Sequence, residues 1–124
     1  MHVLLDTHVL LWWLADDLLL SQNQRLAILD KRNSCFISAV TIWEISIKSS
    51  LGKLEIADDY LDFVYTQGFM ELPVSWEHAR LVKVLPDFHK DPFDRMLIAQ
   101  SQVEGMTLLS SDLNIARYDI ALIN

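Results

Sequence analysis

Residues 3–12 read VLLDTHVLLW, which is a run of three large aliphatic residues, an acidic residue, and then a second apolar run. The first run shows no alternation of apolar and polar residues, which is typical of a central strand covered on both faces of a parallel sheet. Asp6 ends this run, and Thr7 and His8 follow before the apolar pattern resumes. The segment therefore predicts a buried strand that leads directly into a helix, with a carboxylate at the junction.

Four more short apolar runs predict the other strands of a sheet. Together with residues 3–6, the predicted strands cover residues 35–38, 70–74, 106–110 and 120–123. The intervening segments of helical length and spacing are residues 21–32, 39–51, 58–67, 75–85 and 92–104. Short apolar strands that alternate with amphipathic helices predict an α/β fold with a mostly parallel sheet, here of about five strands.

The length and composition limit the class of protein. The chain has 124 residues, of which 52% are hydrophobic and 22% charged, so a disordered chain is excluded and one domain covering residues 1–124 is expected. The lone cysteine, Cys35, excludes an internal disulfide and a thiolate metal cage, and its apolar surroundings predict a buried thiol. No segment resembles a targeting peptide or has the ~20 apolar residues of a membrane span. We therefore expect a cytoplasmic protein with no membrane partner.

The charge balance of the chain is acidic. Ten basic residues stand against 17 acidic ones, which gives a formal net charge of -7. Proteins that bind nucleic acid passively normally carry a basic surface. The balance therefore argues against such a protein, unless several of the carboxylates are gathered around a metal ion.

Four acidic residues lie in apolar sequence. Three of them lie near turns where the chain passes between strand and helix, and the fourth, Glu44, lies about two turns into the helix after the second strand. Ligand sites in open parallel sheets lie beyond the carboxyl ends of the strands. An ionised carboxylate near a core is costly unless it is paired or bound to metal, and a hard cation such as Mg²⁺ or Mn²⁺ prefers oxygen ligands. The sequence therefore predicts a metal-binding carboxylate site made of Asp6, Glu44, Asp94 and Asp112.

Each of these acids also has a purely structural explanation at a helix start. Such residues accept hydrogen bonds from the first free N–H groups of a helix or interact with the helix dipole. In chain order, the alternatives are Asp6 as the cap of a helix from His8, Glu44 in a capping box with Thr41, Asp94 as the third residue after an Asp91 cap, and Asp112 as the cap of a short helix over residues 113–118.

These residues, in this order, resemble the PIN-domain ribonucleases, and among them the VapC-type toxins of bacterial toxin–antitoxin pairs. The matching segments are VLLDTHVLLWW at residues 3–13, ISAVTIWEI at 37–45, LGKL at 51–54, DPFDRMLIAQ at 91–100 and LLSSD at 108–112. They span essentially the whole chain. Ser110 is the one departure, because a threonine is more usual there, although the hydroxyl is retained.

The resemblance implies a three-layer α/β/α sandwich and one PIN-like domain. It also implies an endoribonuclease that depends on Mg²⁺ or Mn²⁺ and hydrolyses RNA phosphodiester bonds through a metal-activated water. The implied partners are an RNA substrate, a small inhibitory antitoxin protein and a second copy of the chain in a homodimer. Asp6, Glu44, Asp94 and Asp112 stand at the positions of the catalytic and metal-binding carboxylates, with Asp6 and Asp94 as the expected direct ligands.

Four neighbouring residues have weaker assignments. Thr7 and Ser110 are expected to hydrogen-bond a carboxylate or a metal-bound water. His8 either contacts a phosphate or packs against the sheet, and Arg95 either contacts the RNA backbone or pairs with a nearby acid. Lys48 and Lys53 are interpreted as solvated, while Trp12, Trp13 and residues 16–20 predict an apolar groove for an antitoxin helix or a dimer contact.

Two other interpretations compete with the nuclease. A phosphatase of the haloacid dehalogenase type needs a second acid two residues after the first, where this chain has His8. The alternative is a catalytically inactive PIN-like module or a receiver-like protein-binding module in which the acids serve as helix caps. Glu44 argues against a receiver-like module, since a simple receiver domain has no reason to place a carboxylate on that helix among Trp43 and Ile45.

Overall fold

The computed structural model describes all residues from 1 to 124. Five parallel strands form one sheet in the order β3-β2-β1-β4-β5. The strands are β1 (His2–Leu5), β2 (Ser34–Ser38), β3 (Met70–Leu72), β4 (Thr107–Leu109) and β5 (Leu122–Ile123). In the register of the sheet, Val3 of β1 lies beside Cys35 of β2 and Thr107 of β4. The predicted α/β fold with a parallel sheet is confirmed.

Six helices connect the strands. They are α1 (Thr7–Ala15), α2 (Gln22–Leu29), α3 (Ala39–Ser50), α4 (Tyr60–Thr66), α5 (Trp76–Leu81) and α6 (Pro92–Glu104). Short 3₁₀ turns follow at Val82–Val84 and Ile115–Arg117. No helix combines the length and the apolar character needed to cross a bilayer.

Several predicted elements are shorter in the structure, and prolines explain two of the differences. The helix predicted over residues 75–85 is α5 followed by a 3₁₀ turn, because Leu85 must be extended before Pro86. Strand β3 ends at Leu72, since Pro73 has no N–H to donate to the sheet. The helix predicted over residues 113–118 is only the 3₁₀ turn Ile115–Arg117.

Helices cover both faces of the sheet, so the three-layer α/β/α sandwich is confirmed. On one face Val3 and Leu5 pack with Val9 of α1, Ala27 of α2 and Val64 of α4. On the other face Leu4 packs with residues of α6, which include Leu97, Ile98 and Ala99. All three β1 core residues are fully buried, and Cys35 is buried as predicted.

The strand order fixes where polar groups can gather. From β1 the chain passes to β2 and β3 on one side of the sheet and then crosses to β4 and β5 on the other. Open parallel sheets have a crevice at such a reversal, beyond the carboxyl ends of the strands. The backbone N–H of Asp6 donates to Leu109 O over 3.0 Å. The ends of β1 and β4 therefore lie side by side at this crevice.

Candidate functional site

Asp6 lies at the junction between β1 and α1 and is 3% exposed. Its Oδ1 accepts a hydrogen bond of 2.8 Å from the Val9 N–H, so the carboxylate caps α1, which begins at Thr7 rather than at His8. Burial raises the pKa of Asp6, and the nearby charge of Asp112 raises it further, while hydrogen bonds from Ser110 and Val9 lower it. The cap role expected as an alternative is confirmed, and the same carboxyl also lies beside a second acid.

Asp91 and Asp94 share the start of α6. Asp91 Oδ1 accepts from the N–H groups of Phe93 at 2.8 Å and Asp94 at 3.1 Å, so Asp91 is the helix cap. Burial raises the pKa of Asp94 to about 6, and the charges of Asp91 and Asp6 add to this increase. A hydrogen bond with His89 acts in the opposite direction. Asp94 is therefore a carboxyl held among other negative charges.

Asp112 follows β4, and its two carboxylate oxygens have different partners. Oδ1 accepts from Asn114 N–H at 2.7 Å and Ile115 N–H at 3.3 Å, which caps the 3₁₀ turn. The backbone N–H of Asp112 donates to the buried Ser110 hydroxyl over 3.1 Å. The other oxygen, Oδ2, lies 3.4 Å from His89 Nε2. One oxygen thus fixes the side chain while the other is presented to the site.

Glu44 lies in the middle of α3 and is 3% exposed. Its Oε1 accepts from the Thr7 hydroxyl at 2.7 Å, and Oε2 is bonded to Lys48 Nζ. The cap of α3 is Ser38, and Thr41 lies inside the helix, so the capping-box interpretation of Glu44 is wrong. The interpretation of Lys48 as a solvated lysine is also wrong, because its ammonium group is paired with this buried acid.

His89 is the site residue that the sequence analysis missed. Its Nε2 lies 2.8 Å from Asp94 Oδ2 and 3.4 Å from Asp112 Oδ2, so the imidazole bridges two of the predicted acids. Side-chain ligand atoms of these three residues all lie within 4.8 Å of one another. The available signal in the sequence was its place five residues before Asp94, in the loop that leads into α6.

The structure brings three of the predicted acids together and joins the fourth to them. We call Asp6, Asp94 and Asp112 the acidic cluster. The charge of Asp112 raises the pKa of Asp6, and the charge of Asp6 raises the pKa of Asp94, so Asp6 lies close to both of the other acids. Glu44 adjoins the cluster through Thr7, the neighbour of Asp6, and through Lys48. The charges of Glu44, Asp91 and Asp94 raise the pKa of that lysine.

His8 and Arg95 do not have their expected packing or pairing. His8 is exposed and its ring centroid lies 5.9 Å from that of Trp12, so it does not pack against the sheet. Arg95 does not pair with a nearby acid, and its contact with RNA stays a prediction. Its guanidinium donates to carbonyl oxygens of the loop before α6, and to the Tyr118 hydroxyl; these carbonyls belong to Val82, Leu85, Pro86 and His89.

The donor set fits the divalent cation that the sequence resemblance implies. Buried or half-buried carboxylates converge at one end of the sheet, and the raised pKa values of Asp6 and Asp94 show that their negative charge is poorly compensated by the protein alone. Oxygen ligands of this kind suit Mg²⁺ and Mn²⁺. A bound dication would offset the charge that burial and repulsion oppose.

Comparison with known proteins agrees with this architecture. Ribonuclease VapC22 of Mycobacterium tuberculosis is 26% identical over 121 residues, which cover 89% of this chain and 86% of that protein. The crystal structure of VapBC2 from Rickettsia felis bound to a promoter DNA fragment matches with a TM-score of 0.75 and 15% identity, over 100% of this chain and 98% of that one. DNA-bound VapBC from Salmonella typhimurium matches with a TM-score of 0.70 and 16% identity, over 99% and 97% of the two chains.

The two solved structures show that the fold is shared. A family model gives more than the fold, because its match includes every acid of the candidate site. That model, the PIN domain, matches residues 3–121. The chain therefore belongs to the PIN domain family.

Proposed function

We propose that residues 1–124 form one domain that acts as a divalent-metal-dependent endoribonuclease, the toxin of a toxin–antitoxin pair. The observation that carries the proposal is the convergence of Asp6, Asp94 and Asp112 at the carboxyl ends of β1 and β4, with Glu44 joined to them. Membership of the PIN family and similarity to a protein named ribonuclease VapC22 support it.

Asp6, Asp94 and Asp112 are the residues that would hold Mg²⁺ or Mn²⁺. When bound, such an ion lowers the pKa of a coordinated water and offsets negative charge on the phosphate. In the hydrolysis, the water oxygen bonds to phosphorus as the bond from phosphorus to the leaving ribose oxygen breaks. The water loses a proton and the leaving oxygen gains one.

The protein contributes orientation. Asp6 and Asp112 each use one oxygen to cap a helix or turn, which fixes the direction of the other oxygen. Glu44 has both oxygens engaged, by Thr7 and by Lys48. Asp6, Asp94 and Asp112 are therefore better placed as direct ligands, and Glu44 as a group that acts through Thr7, Lys48 or an ordered water.

Cleavage of RNA by the purified full chain tests this proposal. We expect the native protein to cut a mixture of structured RNAs with Mn²⁺ and not with EDTA. Asp6→Asn and Asp94→Asn should reduce the rate at least about 100-fold, since each removes a charged ligand. Asp62→Asn, which changes an exposed acid of α4, is the matched control and should cleave as the native protein does. Equal cleavage by all variants, or cleavage in EDTA, would contradict the proposal and favour the inactive PIN-like alternative.

A groove between α1 and α4 is the proposed binding surface for the antitoxin. It has a volume of about 450 Å³ and is lined mainly by apolar side chains of Leu11, Trp12, Leu14, Ile56, Tyr60 and Phe63. Acidic side chains of Asp17, Glu55 and Asp59 lie at the same groove. An amphipathic helix with an apolar face and flanking basic residues is the ligand that this surface fits.

The structure revises the residues that were expected to form this surface. Leu18 and Leu19 are exposed, whereas Leu20 belongs to the core and Trp13 packs against Phe69. Trp12 does line the groove. The homodimer stays a proposal, and sedimentation of the purified chain would test it.

A pair of substitutions on α4 tests the groove. Phe63 lines it, whereas Tyr65, on the same helix, lies outside it. We expect the neighbouring gene to encode a short DNA-binding protein, and Phe63→Ser to weaken co-purification of that protein at least about 10-fold. Tyr65→Ser should not change it. RNA cleavage by both variants should be unchanged, and equal losses of partner binding in the two variants would contradict the assignment of the groove.

A further inference from the structure

We infer that His89 is a nitrogen ligand of the metal ion held by Asp94 and Asp112, and that it gives the site a preference for a first-row transition ion such as Mn²⁺ over Mg²⁺. The inference rests on the proposed metal-dependent function and specifies which ion the site selects. Three observations support it: the distances from the imidazole to the two carboxylates, the hydrogen bonds that fix the His89 backbone, and the ligand chemistry of an imidazole nitrogen.

The distances around His89 are those of neighbouring ligands. Its Nε2 lies 2.8 Å from Asp94 Oδ2 and 3.4 Å from Asp112 Oδ2. In an octahedral site with metal–ligand bonds of about 2.1 Å, adjacent ligand atoms are about 3.0 Å apart. The two measured separations lie on either side of that value, and the ligand atoms of all three residues lie within 4.8 Å of one another, so the three groups are close enough to hold one ion.

The backbone of His89 is fixed on both sides. Its N–H donates to the Tyr118 hydroxyl at 3.1 Å, and its carbonyl accepts from Arg95 Nη1 at 3.2 Å. The Tyr118 hydroxyl in turn donates to Pro86 O at 2.6 Å. The His89 side chain is 14% exposed. This arrangement holds the imidazole at the acidic cluster before any ion arrives, as a metal site requires.

The same contacts explain Arg95. All five hydrogen bonds of its guanidinium go to carbonyls of the 82–89 segment or to Tyr118, which itself contacts that segment. Arg95 thus acts as a positioning residue that fixes the loop carrying His89 against α6.

The imidazole changes the chemistry of the site in two ways. It adds a donor without adding to the negative charge that the three carboxylates already bring together. Imidazole nitrogen is also a borderline ligand that suits first-row transition ions, whereas Mg²⁺ keeps oxygen ligands and several waters. A site of carboxylates alone would accept both kinds of ion. His89 raises the affinity for the transition ion relative to the affinity for Mg²⁺.

Electron spin echo spectroscopy of bound Mn²⁺ tests the nitrogen bond directly, because a coordinated imidazole gives a ¹⁴N modulation. Tag-free full chain loaded with Mn²⁺ should show this modulation, and His89→Gln should lack it. His8→Gln is the matched control, since His8 is an imidazole whose charge acts on Asp6, and it should keep the signal. His89→Asp, which replaces the nitrogen by an oxygen donor, should bind Mn²⁺ without the signal. Circular dichroism checks that the variants are folded.

Titration calorimetry gives a second readout. His89→Gln should weaken Mn²⁺ binding at least about 10-fold and change Mg²⁺ binding less than about threefold. Equal losses for the two ions would overturn the inference and make His89 a residue that only orients Asp94. Native protein that binds Mn²⁺ without nitrogen modulation would also overturn it.

These outcomes are separate from those of the proposed nuclease. If RNA cleavage depends on Asp94 but the bound Mn²⁺ gives no nitrogen signal, only the assignment of His89 as a ligand is overturned. Mn²⁺ bound with the nitrogen signal, in a protein that leaves all RNAs intact, overturns the nuclease and keeps the metal ligand.

Discussion

Lys48 forms an ion pair with Glu44 one turn earlier on α3, through Nζ and Oε2. The Glu44 side chain is 4% exposed and that of Lys48 is 39% exposed, so the pair joins a buried acid to a partly solvated base. The hydrogen bond to Glu44 is the main reason why the pKa of Lys48 is raised. Lys48 is therefore part of the site and compensates the one predicted acid that lies outside the acidic cluster.

Replacement of Lys48 should destabilise the protein. Lys48→Met leaves the Glu44 carboxylate buried without its positive partner, and the partial exposure of the lysine limits the loss. We expect the free energy of unfolding in urea to fall by about 1–2 kcal/mol. Lys53→Met, at an exposed position with no ion pair, should change it by less than about 0.5 kcal/mol. Similar effects of the two substitutions would show that the ion pair does not stabilise the fold.

Arg95 should be needed to hold the loop before α6. Arg95→Lys removes the planar group that reaches several carbonyls at once, which a lysine cannot replace. We expect a loss of about 1–3 kcal/mol in the free energy of unfolding and faster amide hydrogen exchange in residues 82–89. Arg80→Lys alters an exposed arginine of α5 and serves as the control. Unchanged exchange in the loop of the Arg95 variant would contradict this role.

The raised pKa of Asp94 predicts that its ionisation destabilises the metal-free protein. Its pKa is about 6 in the folded chain against an ordinary value of 3.8, so the folded state binds this proton more tightly than the unfolded state. Between these two values the folded chain holds more protons, and its stability therefore falls as the pH rises. Above about pH 6 the penalty from this group is fully present.

A substitution isolates this effect. Asp94→Asn carries no charge at any pH, so in EDTA it should gain stability over the native protein. We expect this gain to be larger at pH 7.5 than at pH 4.5 by about 1–3 kcal/mol. Asp62→Asn controls for the loss of one negative charge from the chain. Urea unfolding at the two pH values measures the difference, and a gain that does not grow with pH would contradict the prediction.

Divalent metal should reverse the cost of the clustered charges. A ligand that binds only the folded state, present at 100 times its dissociation constant, stabilises by about 2.7 kcal/mol. We expect a corresponding rise in melting temperature of the native protein with Mn²⁺ at pH 7.5. Asp94→Asn should start from a higher melting temperature in EDTA and respond weakly to Mn²⁺. An equal response of the two proteins to Mn²⁺ would place the ion elsewhere.

The sheet and the positions of the acids were predictable because they depend on local pattern. Unbroken apolar runs identified β1 and its neighbours, and Asp6 and Asp112 follow strands that meet at one edge of a parallel sheet. The family resemblance supplied the layers and the position of Glu44. The element ends were less predictable, since Pro73 and Pro86 stop a strand and a helix whose apolar pattern continues.

The partners of the acids were not predictable, because they depend on side chains from loops and on the burial of the acids. His89 reaches two acids, one of them more than 20 residues away, only after its loop is fixed by Arg95 and Tyr118. Lys48 has the spacing of an ordinary helix-surface lysine, and only the burial of Glu44 distinguishes it. Asp6 and Asp112 each act as a cap and also belong to the acidic cluster. The sequence offered these roles as alternatives, and only the structure shows that one oxygen of each carboxylate accepts the backbone N–H.

The pairing of β1 with β4 also controls when this site can exist during protein synthesis. Val3 lies beside Thr107 in the sheet, so β1 gains its second neighbour only after roughly 100 further residues have been made. Contacts so distant in sequence form late in folding. A nascent chain therefore carries Asp6 alone while the residues up to Asp94 and Asp112 are being made, and the acidic cluster cannot assemble before residue 112 has left the ribosome.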